Sequence, residues 1–85
     1  MFTAKIKVTL RKTILDPQGK AIEHSLKSLG FDSITNTRIG KYIELKIDVN
    51  SKDEAAVIAE ESCKKLLANT IMEDYEYEII KDGQN

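Results

Sequence analysis

The sequence predicts an α+β fold: a ferredoxin-like βαββαβ sandwich with a four-stranded antiparallel-type sheet and two helices on one face. Three observations predict it. Stretches near the start, middle and end of the chain alternate apolar and polar residues with the period of a half-buried strand. Two intervening stretches carry helix caps followed by apolar residues at helical spacing. The connections are short, and the preference for right-handed crossovers leaves few other ways to join elements in that order.

The first strand is carried by Ala4, Ile6, Val8 and Leu10, which alternate with Lys5, Lys7 and Thr9. Asp16 then offers an N-cap and Pro17 suits the first helical position. Ala21, Ile22, Ser25, Leu26 and Leu29 repeat at helical spacing, and Gly30 stands where a left-handed C-cap belongs, with Phe31 placed to close back on Leu26. A weaker strand is expected from about Ser33 to Ile39, with Gly40-Lys41 as the turn after it. Ile43, Leu45, Ile47 and Val49 alternate with Tyr42, Glu44, Lys46 and Asp48, the cleanest strand pattern in the chain. Ser51 and Glu54 form a capping box that opens a second helix. Its inner face is expected to hold Ala55, Ile58, Ala59, Ser62, Cys63, Leu66 and Leu67, and it should end near Asn69. Tyr75, Tyr77 and Ile79 alternate with Glu76, Glu78 and Ile80 in the last strand.

In this topology the first strand lies between the third and the fourth. Lys5 and Lys7 are then expected on the open sheet face, with Glu44 and Asp48 on one side and Glu76 and Glu78 on the other. Such a face is charge-balanced, with each opposite-charge neighbour contributing about 0.2–1 kcal/mol.

Eighty-five residues make one domain, expected over residues 1–80, with 81–85 as a C-terminal tail. The core of so short a chain is small. Thirteen basic and 14 acidic residues give a net charge of −1, which offers no field for nucleic acid or anionic lipid. No segment approaches the roughly 20 apolar residues of a membrane span, and the N-terminal residues lack the layout of a signal peptide. A single cysteine fits a reducing compartment, and a cytoplasmic location is expected.

The residues with reactive potential read mainly as structure. Base-stacking domains of this fold carry aromatics on the first and third strands, where this chain has Lys5, Lys7, Thr9 and only Tyr42. One Cys and one His cannot supply a metal-ligand set. His24 falls away from the apolar face of its helix, and Cys63 falls among apolar positions with no basic partner to activate it. The adjacent carboxylates Glu60-Glu61 and Glu73-Asp74 do not face each other, and Tyr75 and Tyr77 have the spacing of core residues.

The stretch Asp16-Pro17-Gln18-Gly19-Lys20 resists so plain a reading. A helix start can hold an anion, but Asp16 already places a negative charge there and Pro17 removes a donor. Gly19 weakens the helix by up to about 1 kcal/mol relative to Ala, unless another backbone must approach where a side chain would stand. A contact with another protein, a plain turn and, less favoured, a small anion all stay open.

The ordered set of motifs resembles the PurS family, the small subunit of phosphoribosylformylglycinamidine synthase. It is carried by Val8-Thr9-Leu10, Leu15 to Ala21, Ser28 to Phe31, Arg38 to Leu45, Cys63 to Asn69 and Glu73-Asp74-Tyr75, about nine tenths of the chain. Thr70 stands where the family usually has proline, and Thr37 where valine is common. The resemblance implies a non-catalytic subunit that self-associates, at least as a dimer. It would link the glutaminase subunit to the large ATP-dependent synthetase subunit in purine biosynthesis and support ammonia transfer between them. No catalytic, cofactor-binding or metal-binding residue is expected on this chain; ATP and Mg belong on the synthetase. The expected partner contacts are Asp16, Pro17, Gln18, Gly19, Arg38, Gly40, Lys41, Tyr42, Asn69, Glu73, Asp74 and Tyr75. The alternative is a stand-alone regulatory domain that binds a small ligand at the first strand–helix junction.

Overall fold

Strand β1 (Phe2–Leu10) runs through the centre of the protein because its inward residues are the most completely buried. Ala4, Ile6 and Val8 are fully shielded from water, and each of the two larger side chains contributes about 1.5–3 kcal/mol by that burial. The computed structural model describes residues 1–83. After β1 come helix α1 (Pro17–Ser28), strand β2 (Gly40–Ile47), helix α2 (Lys52–Ser62), a π-helical turn (Cys63–Leu67) and strand β3 (Glu73–Lys81).

Both outer strands pair antiparallel with β1, giving the order β2-β1-β3. The expected central place of the first strand is therefore found, but the sheet has three strands and not four. Residues 33–39 form no strand: the Ile34 N–H turns back to the Phe31 carbonyl, and two further N–H groups are taken by side chains from α1 and its cap. Thr37 donates to Glu23 and Ile39 donates to Asp16, both at 2.9 Å, and Asn36 takes a left-handed backbone with φ 55°. Gly40 and Lys41 accordingly do not form a turn; they open β2 opposite Thr9 and Val8.

The register aligns Lys5 with Glu44 on one side and Glu78 on the other, as the alternation predicts. Lys7 lies opposite Tyr42 and Glu76, whereas Asp48 falls beyond the end of β2. Of the expected tail, Lys81 closes β3 and Asp82 is tied to the sheet. The Asp82 N–H donates to the Met1 carbonyl, and its carboxylate accepts from Thr3 at 2.6 Å and pairs with Lys46 at 3.3 Å. Gln84 and Asn85 lie outside the described residues.

The two helices behave differently. Helix α2 packs across the inner sheet face through Ala55 and Ala59, and Cys63 continues the row at a spacing of four. The π turn then inserts one residue, closed by the Ala68 N–H donating to the Cys63 carbonyl at 3.0 Å. The buried row thus resumes at Ala68, and Leu66, expected on the inner face, is turned outward at 82% exposure. Ile58, also expected on the inner face, is 41% exposed.

Helix α1 is capped as its sequence predicts. Asp16 accepts from the Gly19 N–H, and the Gly30 and Phe31 N–H groups return to Lys27 and Leu26 in a Schellman ending, with Gly30 at φ 97°. Yet α1 hardly touches the strands. Ile22, Leu29 and Phe31 stay exposed, so the expectation of two helices on one sheet face fails for α1. Without the missing strand there is no surface beneath it to cover.

Candidate functional site

The three segments expected to contact partners converge at one end of the sheet. Antiparallel pairing sets the end of β1 beside the starts of β2 and β3, with Thr9 opposite both Gly40 and Asp74. The N-terminus of α1 joins them through the loop that leaves β1.

Asp16 is the organising residue of this end. Its side chain is almost wholly buried, and it holds two separate pieces of backbone. One carboxylate oxygen accepts the Gly19 N–H at 2.9 Å, and the other accepts the Ile39 N–H at 2.9 Å. These two bonds, helped by the nearby Arg38 guanidinium, hold its carboxyl below the usual range against the opposing effect of burial. Gly19 is buried beside it for a steric reason. A Cβ on Gly19 would stand 2.5 Å from the Thr37 carbonyl oxygen and 2.8 Å from the Asp16 carboxylate. Gly19 is thus approached closely by this chain's own backbone at Thr37.

Arg38 completes the corner from the other side. One terminal guanidinium nitrogen donates to the Leu10 and Arg11 carbonyls at 2.8 and 2.9 Å, and the second reaches Ile14 at 3.5 Å. The fork thereby ties residue 38 to the last residue of β1 and to the loop that leaves it. Glu23, which the sequence reading did not single out, adds a further tie by accepting the Thr37 N–H. That bond draws its carboxyl downward. Only its place one turn after Gly19, on the same helix face, hints at that role.

The remaining expected contact residues lie around this corner. Pro17, Gln18, Arg38, Gly40, Lys41, Tyr42, Asn69 and Asp74 are exposed, whereas Glu73 and Tyr75 are half-buried. Lys41 pairs with Glu73 at 3.6 Å, and Arg11 pairs with Asp74 at 3.5 Å. Tyr42 stands on the open face and donates to Glu44 at 2.7 Å, which with burial raises its phenol. Tyr75 points inward instead, where it and Tyr77 both donate to Glu60 of α2. Glu60 is held ionised by the two phenols, and Tyr75 is pushed up to about 12 mainly by that bond.

A cleft of about 710 Å³ lies between the β1–α1 loop and residues 36–38. Its wall mixes Lys12 and Lys20 with Asp16 and Glu23, and the Asp16 carboxylate is already occupied by backbone. Elsewhere, His24 is exposed on α1, and Cys63 is buried with its thiol raised by desolvation and by Glu60. Among the described residues no three His, Cys, Asp or Glu side chains gather to hold a metal ion. No described helix is long and apolar enough to cross a membrane.

The chain was compared with known proteins. Residues 3–81 match the family model described as PurS: Phosphoribosylformylglycinamidine (FGAM) synthase. The subunit PurS of this synthase from Bacillus subtilis is 46% identical over 79 residues, which is 93% of each chain. Its counterpart from Mycobacterium leprae is 49% identical over 76 residues, covering 88% of this chain and 91% of the other. Among solved structures, B. subtilis PurS superposes with a TM-score of 0.85 at 44% identity, over 95% of this chain and all of that one. A chain in the structure of PurLQS from Thermotoga maritima gives 0.86 at 32% identity, over 93% of this chain and 96% of that one. Sequence and fold thus agree along nearly the whole length, and the chain belongs to the PurS family.

Proposed function

We propose that the chain is the non-catalytic assembly subunit of phosphoribosylformylglycinamidine synthase in purine biosynthesis. In this reading it joins the glutaminase subunit to the ATP-dependent synthetase subunit and helps ammonia pass between them. ATP and Mg act on the synthetase, and the complex works in the cytoplasm. The observation that carries the reading is the near-complete match to a chain in the PurLQS structure, at a TM-score of 0.86. The convergence of three motif-bearing segments at one end of the sheet supports it, since their polar groups are spent on holding that end rigid.

Self-association is part of the proposal. A folded monomer of 9.6 kDa should expose about 5,100 Å², and this chain exposes 6281 Å², nearly a quarter more. Exposed apolar side chains contribute to it, among them Ile22, Leu29 and Phe31 along and just after α1. We read the protomer as a ferredoxin-like sandwich with one strand fewer and α1 lifted away, a form that a second copy would cover. Light scattering of the purified protein should give a dimer or higher mass.

The decisive test is reconstitution. Glutamine-dependent turnover by the two large subunits should require this chain; equal turnover without it would overturn the proposal. A stand-alone ligand-binding domain would instead show a thermal shift with purine intermediates or amino acids when no partner is present.

A further inference from the structure

Residues 12–39 stand apart from the core of the protein. Of these residues only Asp16 and Gly19 are buried. Every apolar residue of the core, and every partly buried one packed against it, lies within residues 2–8 or 43–79. The chain is correspondingly spread out, with a radius of gyration of 16.4 Å against about 12 Å for a compact chain of this length. What order the segment has comes from clips within itself. Asp16 holds the Ile39 N–H, Glu23 holds the Thr37 N–H and Arg38 reaches the Ile14 carbonyl, so its outgoing and returning ends are fastened side by side. Its ties to the rest of the chain are few. Arg38 donates to the Leu10 and Arg11 carbonyls, and the Ile14 N–H donates to that of Arg11. Arg11 itself belongs to the sheet, since its N–H donates to the Met72 carbonyl at 2.9 Å and its guanidinium pairs with Asp74.

We infer that residues 12–39 are an arm that opens and closes as one unit while the sheet and α2 stay folded. A helix of 12 residues is marginal in water by itself, and α1 gains no support from the apolar core. Segments with few buried apolar contacts are the ones that open at less than the free energy of global unfolding. In the closed state the clips hold the arm rigidly, and they make its opening cooperative, because each one joins the helix or its approach to the returning residues 37–39. The junctions fall where sheet pairing stops, between Arg11 and Lys12 on one side and between Ile39 and Gly40 on the other. A second copy seated on the exposed stripe of α1 would slow this opening without joining the arm to the core.

The test is native-state hydrogen exchange of the full chain, resolved along the sequence at one protein concentration. Two variants weaken the core, Ile6→Val in β1 and Ala59→Gly in α2, both at fully buried positions. Amides of β1 and α2 that exchange only on full unfolding should then speed up roughly two- to tenfold. Those of α1 should keep their unaltered rates, since the arm opens with the core intact. Equal acceleration in α1 would overturn the inference, because the helix would then open only when the whole protein does. A third variant, Asp16→Asn, weakens the clips and should speed exchange roughly fivefold or more all along α1, through its last turn at Lys27 and Ser28. Acceleration confined to the amides beside residues 19 and 39 would overturn the single unit. An α1 without any protection in the unaltered chain would overturn it as well, since no closed state would then be populated.

Discussion

Asp16 and Ile39 lie 23 positions apart in sequence and are joined by one hydrogen bond of 2.9 Å, carboxylate to backbone N–H. The same carboxylate caps α1 at Gly19, so one side chain fixes both the start of the helix and the start of the path into β2. Asp16→Asn keeps the size of the side chain but replaces one acceptor by a donor that faces an N–H. The melting temperature should fall by roughly 5 °C. The pH dependence gives a sharper reading. A carboxyl held below its ordinary value stabilises the fold above the unfolded pKa of about 4 and loses that effect as pH falls through the lower folded value. Thermal melts from neutral pH downward should show the wild type and Asp16→Asn converging in acid.

Gly19→Ala separates helix propensity from packing. Propensity alone predicts a gain of up to about 1 kcal/mol. The added methyl would meet the Thr37 carbonyl oxygen at 2.5 Å, which is backbone and cannot simply move aside. Denaturant unfolding should therefore show a net loss of about 1–3 kcal/mol. A stabilised variant would mean that the approach of residue 37 to α1 is wrong.

The Glu60 carboxylate with the Tyr75 and Tyr77 phenols ties α2 to β3, and its signature is alkaline. Tyr75 is raised to about 12, so its bond stabilises the fold below the unfolded tyrosine value of about 10 and is lost as pH rises through about 12. Tyrosinate absorbance of the native protein should lag that of an unfolded control across that window. In Tyr75→Phe much of the lag should vanish, since Glu60 would keep only Tyr77.

Cys63 can report on opening of the fold. It is fully buried, and its thiol is raised by burial and by the neighbouring Glu60. A thiol reagent should label the folded protein on the order of a hundredfold more slowly than the denatured chain. Labelling at a similar rate in both states would show that the α2–sheet contact is not held closed.

Much of the architecture was legible in local pattern. Both N-caps, the Schellman ending at Gly30 and the central place of β1 follow from residue types that have few alternative uses. The misreadings share a cause, which is that local pattern cannot report long-range ties. Ser33 to Ile39 looks like a weak strand because nothing near it reveals that Glu23 and Asp16 will take the N–H groups of Thr37 and Ile39. Leu66 reads as core because a one-residue insertion in helical phase leaves no mark in composition. The apolar stripe of α1 is read correctly as a stripe. What covers it is not encoded in this protomer's own contacts. At the candidate site, motif resemblance picked out three segments, but only the antiparallel register shows that they share one end of the sheet.

The slight contact between α1 and the strands leaves the helix held at its N-terminal half, by Asp16 and Glu23, like a lever with its pivot there. Its 12 residues extend about 18 Å from that point. A rotation of about 10° at the pivot would carry Leu29 about 3 Å. Small adjustments in the bonds of one carboxylate would therefore be magnified at the far end of the molecule, where the apolar stripe meets whatever covers it.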